Sequence, residues 1–404
     1  MAPSNVDRMS TGGLSRIEWA DGQMPVLRSI RERFARERPL EGVSVGACLH
    51  VTSETACLVR CLQAGGASVA LCASNPFAVQ RDVASALAEE AAVFAGGPDE
   101  WTSDVAAVVA RSPRITLDDG ADLLSALHAV GRFEGMLGAT EETTTGLVRL
   151  RAMEAEGRLR VPVLAVNESR AERAFNDRFG TGQSVLDGIV RATNVLLAGL
   201  TVVVLGYGAT GRGVALRAHG LGASVIVCEV DPLRALEARM EGFDVMPALQ
   251  AAERGDVFIT LTGVRDVLRA EHFARMKNGA ILANAGHFDV EISLDDLRAA
   301  ASDVREILPL VERYEIGGRA LHLLAGGRVV NLAAAAGHPA AVMDVSFALQ
   351  ALAAEALARG GWEPGVHAVP EEIEREVATL KLAALDVTID ELTPEQEEYL
   401  RSWL

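Results

Sequence analysis

The stretch "VVVLGYGATGRGVALRAHGLGASVIVCEVD", residues 202–231, constrains the fold more than any other part of this chain. An apolar run meets a glycine-rich turn, a helix-like segment follows, and a second apolar run ends in acid. Gly206, Gly208 and Gly211 give G-x-G-x-x-G between strand and helix. There they permit a tight turn, close backbone approach to a pyrophosphate and close helix–strand packing. Glu229 closes the next strand 23 residues after Gly206. An acid in that place hydrogen-bonds the adenosine ribose hydroxyls and repels a 2′-phosphate. The pattern predicts a parallel-sheet domain that binds NAD in preference to NADP. The plain alternative is a glycine-rich packing turn that binds nothing.

The same alternation of strand-like and helix-like runs extends along the chain. "GVSVGACLHV" and "ASVALCAS" flank the helix-like "SETACLVRCLQAGG", and "RITLDDG" and "VPVLAVN" follow as strands, giving one βαβ array from about 40 to 168. A second array runs from "LTVVVLGYG" through "ASVIVCEV", "DVFITLTG" and "AILANAG" to "GRVVNLA". The polar-then-helical stretch between them reads as a hinge and connecting helix. A chain of 404 residues exceeds one compact core. The expected class is α/β, with two Rossmann-like doubly wound parallel-sheet domains joined by a hinge. A substrate-binding part covers 1–180, an NAD domain 181–338, return helices 339–385 and a short C-terminal tail 386–404.

Composition narrows the partners. A net charge of −17 argues against a nucleic-acid surface and leaves no basic patch for anionic lipid. The start "MAPSNVDRMSTGG" does not resemble a signal peptide, and no apolar run reads as long enough to span a bilayer. Cys48, Cys57, Cys61, Cys72 and Cys228 are odd in number and mostly in apolar contexts, which suits buried thiols of a reducing cytoplasm and neither a disulfide framework nor a metal site.

Around the glycine motif stand, in order, "GACLHVTSETACL", "DDGADLL", "GATEETTTG", "VPVLAVNES", "NAGHFDVEI" and "VNLAAAAGHPAAVM". Together these resemble the S-adenosylhomocysteine hydrolase family from about Ala20 to nearly the C-terminus. The resemblance implies tightly held NAD that oxidises a ribose 3′-hydroxyl of an adenine nucleoside. The resulting ketone acidifies C4′–H, a base removes that proton, and the 5′ substituent leaves by elimination. By position it makes His50 and Asp119 the acid/base pair and places Glu142 on a ribose hydroxyl. Thr52 and Glu54 fall at the adenine end, and His338 lines the site. It further implies that Thr143, Thr144, Thr145, Thr262, Ala285, Gly286, His287 and Asn331 line the nicotinamide side of the cleft. Read without the family, Asp118 and Asp119 could cap a helix, the threonine run could be a strand, and His50 could be a satisfied histidine.

The departures concentrate on the ribose diol. In "VNESRAERAFNDRFG", Glu172 stands where the family carries a lysine that assists 3′-hydroxyl deprotonation, and Asn176 stands where it carries aspartate. Asp177 replaces an asparagine, Thr181 replaces a cysteine, and Arg234 replaces an asparagine that touches the NAD ribose. A carboxylate at 172 could not donate a proton as an ammonium can, so His287, a water or Glu172 as base would take over. The family's basic, tyrosine-ending tail has no counterpart in "YLRSWL". A homo-oligomer, dimer or tetramer, is expected. Three readings stay open: a divergent enzyme eliminating the 5′ group of a modified nucleoside, for example by dehydration to a 4′,5′-alkene; ordinary S-adenosylhomocysteine hydrolysis; or a non-catalytic NAD-binding regulator.

Overall fold

Two sheets carry the chain. In a computed structural model describing residues 5–286 and 289–403, the first contains β1 (Ser44–Leu49), β2 (Ser68–Ala73), β3 (Ala92–Phe94), β4 (Ile115–Asp118), β5 (Gly138–Glu141) and β6 (Pro162–Ala165). The second contains β7 (Thr201–Leu205), β8 (Ser224–Cys228), β9 (Asp244–Val245), β10 (Val257–Thr260), β11 (Ala280–Asn284), β12 (Asp303–Leu308), β13 (Val311–Ile316) and β14 (Arg319–Leu324). The chain then returns, and β15 (Gly365–Ala368) pairs in parallel with β6. Sheet orders are β15-β6-β5-β4-β1-β2-β3 and β12-β13-β14-β11-β10-β7-β8-β9.

The first sheet is parallel throughout, and its strands are short, apolar and covered on both faces. The second is parallel from β9 to β14 and ends in an antiparallel meander, β12-β13-β14. The expected strand "GRVVNLA" is not one. Val329 makes a single bridge to Asn284, and the chain turns at once into the helix Val330–Ala333.

The expectation about membrane-length runs also needs correction. Helix Ala340–Arg359 is long and apolar enough to cross a bilayer, but most of it is buried inside the first sheet's core. It carries Asp344, Ser346, Gln350 and Glu355, all buried. Asp344 accepts from the backbone N–H of Val26 (3.3 Å) and Leu27 (2.9 Å) and pairs with Lys381 at 2.8 Å. Glu355 takes both Arg33 amino groups, at 3.0 and 2.7 Å. These bonds clamp the helix Pro25–Glu37 to the returning chain, and its Val26, Leu27, Ile30 and Phe34 fill the interface. All five cysteines are buried as free thiols.

Between the sheets the Ser169 hydroxyl accepts from the Glu172 N–H at 3.1 Å and starts a short helical turn. The backbone then widens into a π-helical segment, Arg173–Thr181, before the regular helix Gly182–Thr193. Wide turns of this kind concentrate at functional positions.

Candidate active site

In each sheet, successive connections run in opposite directions on either side of one strand pair. That reversal opens a crevice at the carboxyl ends of the strands, where open α/β sheets bind ligands. In the first sheet it lies between β1 and β4, in the second between β7 and β10.

His50 follows β1 and Asp119 follows β4, at the first crevice. The Asp119 N–H donates to the Cys48 carbonyl at 3.0 Å, which ties the two strand ends together. His50 Nε2 lies 3.0 Å from Asp119 Oδ2. Ser74, at the end of β2, reaches both, with its Oγ 3.4 Å from His50 Nδ1 and 3.3 Å from Asp119 Oδ2. Burial pulls the imidazole pKa down, but the charge and hydrogen bond of Asp119 outweigh it, and the net shift is upward. Sequence reasoning missed Ser74, although it ends the quoted "ASVALCAS" stretch.

Neighbouring carboxylates divide into structural and site-facing groups. Asp118 accepts from the N–H groups of Leu123 and Leu124, at 3.0 and 2.9 Å, and so caps the helix Asp122–Ala129. Asp119 does not share that task. Glu141 accepts from the Gly120 N–H (3.0 Å) and from the Thr143 N–H and hydroxyl (2.8 and 2.7 Å). Glu142, the next residue, is turned toward the crevice. Burial raises its pKa well above the carboxylate range, and the charges of Glu172 and Asp119 raise it further. Gln350, whose Oε1 accepts from the Thr140 hydroxyl, stands close enough to pull the Glu142 pKa slightly back down.

The threonine run is not a strand. Thr143 caps the helix Thr144–Ala155 through a 3.2 Å bond from the Gly146 N–H, and Thr144 donates to Asn167 Oδ1 at 2.9 Å. Thr145 Oγ1 is buried with no hydrogen-bond partner among the described residues.

Glu172 is 1 % exposed. Burial, partly offset by the Ser346 and Asn176 side chains and reinforced by the Asp177 charge, pushes its pKa up to about 8. Burial thus biases this carboxyl toward its protonated form, which the sequence reading of Glu172 as a plain anion does not include. Asn176 Nδ2 donates to Ser346 Oγ at 2.9 Å, and burial raises Asp177 to about 6 against the opposing charge of Arg173.

Thr52 caps the helix Ser53–Ala64, its Oγ1 accepting from the Thr55 N–H at 3.4 Å. Glu54 and His338 line one cleft together with Ser15, Arg16, Trp19 and Ala336. His338 Nε2 is 3.0 Å from the Thr181 hydroxyl and 3.5 Å from Asn331 Nδ2. Burial, with a smaller contribution from the charge of His50, lowers the His338 pKa to about 4. His50, Asp119, Glu142, Glu172 and His338 are thus linked electrostatically, although they come from five separate parts of the sequence.

The second crevice fits a dinucleotide. Gly206 has φ +102°, and a Cβ there would stand 2.8 Å from the Leu261 carbonyl. A Cβ on Gly211 would collide with the Gly206 carbonyl, which is the close helix–strand approach the motif demands. At Gly208 a Cβ would meet only Arg234 Nη1, at 3.8 Å, so the loop leaves open space where a pyrophosphate lies in such turns. Glu229 accepts from the Tyr207, Val230 and Asp231 N–H groups at 2.6, 2.6 and 3.0 Å, which fixes its carboxylate at the tip of β8.

Thr262 follows β10 and is held by Glu291. Glu291 accepts from the Thr262 N–H (2.9 Å) and hydroxyl (2.8 Å) and from the Gly263 N–H (2.7 Å). Asn284 holds the following Ala285–Gly286 turn through the Gly286 N–H at 2.9 Å. Asn331 Oδ1 is buried without a hydrogen-bond partner among the described residues, as expected of a group awaiting a ligand. Glu291 and Asn284 were not singled out from the sequence, though Glu291 is the acid of the quoted "GHFDVEI" stretch. His287 falls outside the described residues.

Comparison with known proteins agrees with this geometry. The S-adenosyl-L-homocysteine hydrolase family model matches residues 5–137, and the model of that enzyme's NAD binding domain matches residues 177–337. The chain is 55% identical over 401 residues to the adenosylhomocysteinase of Aquifex aeolicus, covering 97% of this chain and 96% of the relative. It is 52% identical over 401 residues to the S-inosyl-L-homocysteine hydrolase of Methanopyrus kandleri, covering 97% and 95%. It is 50% identical over 399 residues to the S-inosyl-L-homocysteine hydrolase of Methanocaldococcus jannaschii, covering 97% and 96%. With two crevices built for a nucleoside and a dinucleotide, and relatives matched along nearly their whole length, the chain belongs to the NAD-dependent adenosylhomocysteinase family of hydrolases.

Proposed function

We propose that this enzyme removes the 5′ substituent of a purine nucleoside whose sugar differs from that of S-adenosylhomocysteine. The observation that carries the reading is the buried Glu172 carboxyl, facing Glu142 where the family lysine is expected. Bound NAD supplies reversible oxidation at the ribose, which acidifies C4′–H. The protein's own residues do the rest. Gly206, Gly208, Glu229 and the turns held by Glu291 and Asn284 hold the cofactor. Glu142 and Glu172 meet the sugar edge. His50 and Asp119 exchange a proton at C4′ and at the leaving 5′ atom, with Ser74 fixing their mutual orientation.

Where water does not add back, the product is an exocyclic 4′,5′-alkene, and loss of a 5′-hydroxyl by this route is a redox-neutral dehydration. A second reading is favoured by the 55% identity to an adenosylhomocysteinase: reversible hydrolysis of S-adenosylhomocysteine itself. Names among the relatives also admit an inosyl base. The regulator reading gives way, because these relatives are enzymes and the His50–Asp119 pair is complete.

Thiol release from S-adenosylhomocysteine decides between the two remaining readings, using the wild type and the Glu172→Lys/Asn176→Asp double variant. The altered-sugar reading expects slow release by the wild type and faster release by the variant. Efficient release by the wild type, with a slower variant, would overturn it.

A further inference from the structure

The groups around the sugar edge form a carboxyl cluster in which, among the described residues, the nearby cations face Asp119 and Asp177 and none offsets Glu142 or Glu172. Glu142 comes from the end of β5, Glu172 from the short turn after Ser169, Asp177 from the π-helical segment and Asp119 from the end of β4. The helix Ala340–Arg359 contributes Ser346 and Gln350, both neutral. Among the described residues, the charges acting on Glu142 are those of Glu172 and Asp119, and the charge acting on Glu172 is that of Asp177. His50 is engaged with Asp119, and Arg173 acts on Asp177 alone of this cluster. Glu172 is 1 % exposed, and its Oε2 has no hydrogen-bond partner among the described residues. A buried carboxyl oxygen without a partner is costly unless a ligand supplies the donor.

We propose that the substrate is an aminonucleoside, with a primary ammonium at C2′ of its ribose seated between Glu142 and Glu172 and the 3′-hydroxyl left for oxidation. This rests on the altered-sugar reading above and names the chemistry of the alteration. An ammonium brings three donors and the positive charge missing from the enzyme side. A hydroxyl brings one donor and no charge, so it leaves the two carboxyls to repel each other or to stay protonated. The exchange is reciprocal: where the family's protein carries the cation and its substrate the neutral diol, here the protein carries the acid and the substrate the base. Charge-assisted bonds of this kind are shorter and stronger than neutral ones. Burial and mutual repulsion push both glutamates above the usual carboxylate range, so an incoming ammonium favours their ionised form and expels a proton to solvent.

Calorimetric titration of the NAD-loaded enzyme at pH 7, in two buffers of different ionisation enthalpy, tests this. The probes are 3′-amino-3′-deoxyadenosine, 2′-amino-2′-deoxyadenosine, adenosine, 3′-deoxyadenosine and S-adenosylhomocysteine. The expected result is that 2′-amino-2′-deoxyadenosine binds at least about tenfold more tightly than adenosine or the 3′-amino probe, with proton release that the neutral nucleosides do not cause. Glu172→Gln should erase that preference and the proton release together. If that variant does not fold, the buffer dependence of the wild type still decides. Equal binding of amines and adenosine, or tighter amine binding without proton release, would overturn the proposal. Preference for neutral 3′-deoxyadenosine would overturn it while leaving the altered-sugar reading standing. Tightest binding and rapid hydrolysis of S-adenosylhomocysteine would remove both.

Discussion

His50 Nε2 stands 3.0 Å from Asp119 Oδ2 across the β1–β4 crevice, with Ser74 Oγ reaching both residues. The two side chains therefore share one proton network and work as a unit. Groups that act together lose most of their effect when either is removed. His50→Asn or Asp119→Asn is expected to slow C4′ proton exchange and loss of the 5′ group by about 10²–10⁴. The double variant should be little worse than the poorer single one, and NAD content should stay unchanged. Deuterium incorporation at C4′, followed by NMR, checks this. Near-normal exchange in both single variants would show that the pair is not the acid/base machinery.

The three glycines of the turn should behave differently from one another. Gly208→Ala adds a methyl that meets only Arg234 Nη1 at 3.8 Å, so the protein should fold normally and lose cofactor. Gly211→Ala drives a Cβ into the Gly206 carbonyl and should destabilise the whole second sheet. Thermal melting of each variant, beside NAD content after acid extraction, separates the two effects. Equal melting temperatures would contradict the packing argument. The cofactor released should be NAD(H), since Glu229 would oppose a 2′-phosphate.

Glu291 is expected to matter through the turn it holds. Glu291→Ala leaves the Thr262 N–H and hydroxyl and the Gly263 N–H without their acceptor. The cost should be on the order of 2–4 kcal/mol, as for buried donors deprived of a charged partner. Retention of NAD on gel filtration should fall in parallel. Unchanged retention would mean that the Thr262 turn is not part of the cofactor wall.

Glu172 should leave a mark on the pH dependence of stability. Its folded pKa is raised from 4.5 to about 8, so folding favours the protonated form. That contribution is fully present below pH 4.5, shrinks as the unfolded chain ionises first, and is gone once the pH passes about 8. Denaturation midpoints of the wild type should thus fall across this window by an amount worth a few kcal/mol. Glu172→Gln, which cannot ionise, should show a flatter profile. Identical slopes in the two proteins would mean that Glu172 titrates normally.

Much of this arrangement was legible in the sequence because it is written locally. The strand–turn–helix around Gly206 and the acid of Glu229 follow from spacing alone, whereas the sequence reading makes Thr52 and Thr143 ligand contacts and leaves out their caps. The division of labour within "LDDG" and "TEETTT" was not legible either. Adjacent carboxylates point to opposite sides of a strand end, so one caps a helix or braces a turn while its neighbour meets the ligand. Asp118 and Asp119 differ only in that respect, as do Glu141 and Glu142. Ser346 and Gln350 were hidden for another reason: they interrupt an apolar helix that reads as pure core. The antiparallel strands β12 and β13 escaped notice because the outer one is exposed along its whole length and shows no apolar pattern.

Asp344 bonds to Val26 across 318 residues, and β15 adds the last strand to a sheet begun at Ser44. During synthesis, then, the opening third of the polypeptide emerges long before the segment that covers its core. Until the ribosome has delivered Ala340–Arg359, the faces of β4, β5 and the helix Pro25–Glu37 lack one of their main packing partners. The second sheet, contiguous in sequence, needs no such wait and can close first. Maturation of this enzyme is therefore ordered from the middle outward, and the nascent N-terminal region is the part with most need of a chaperone.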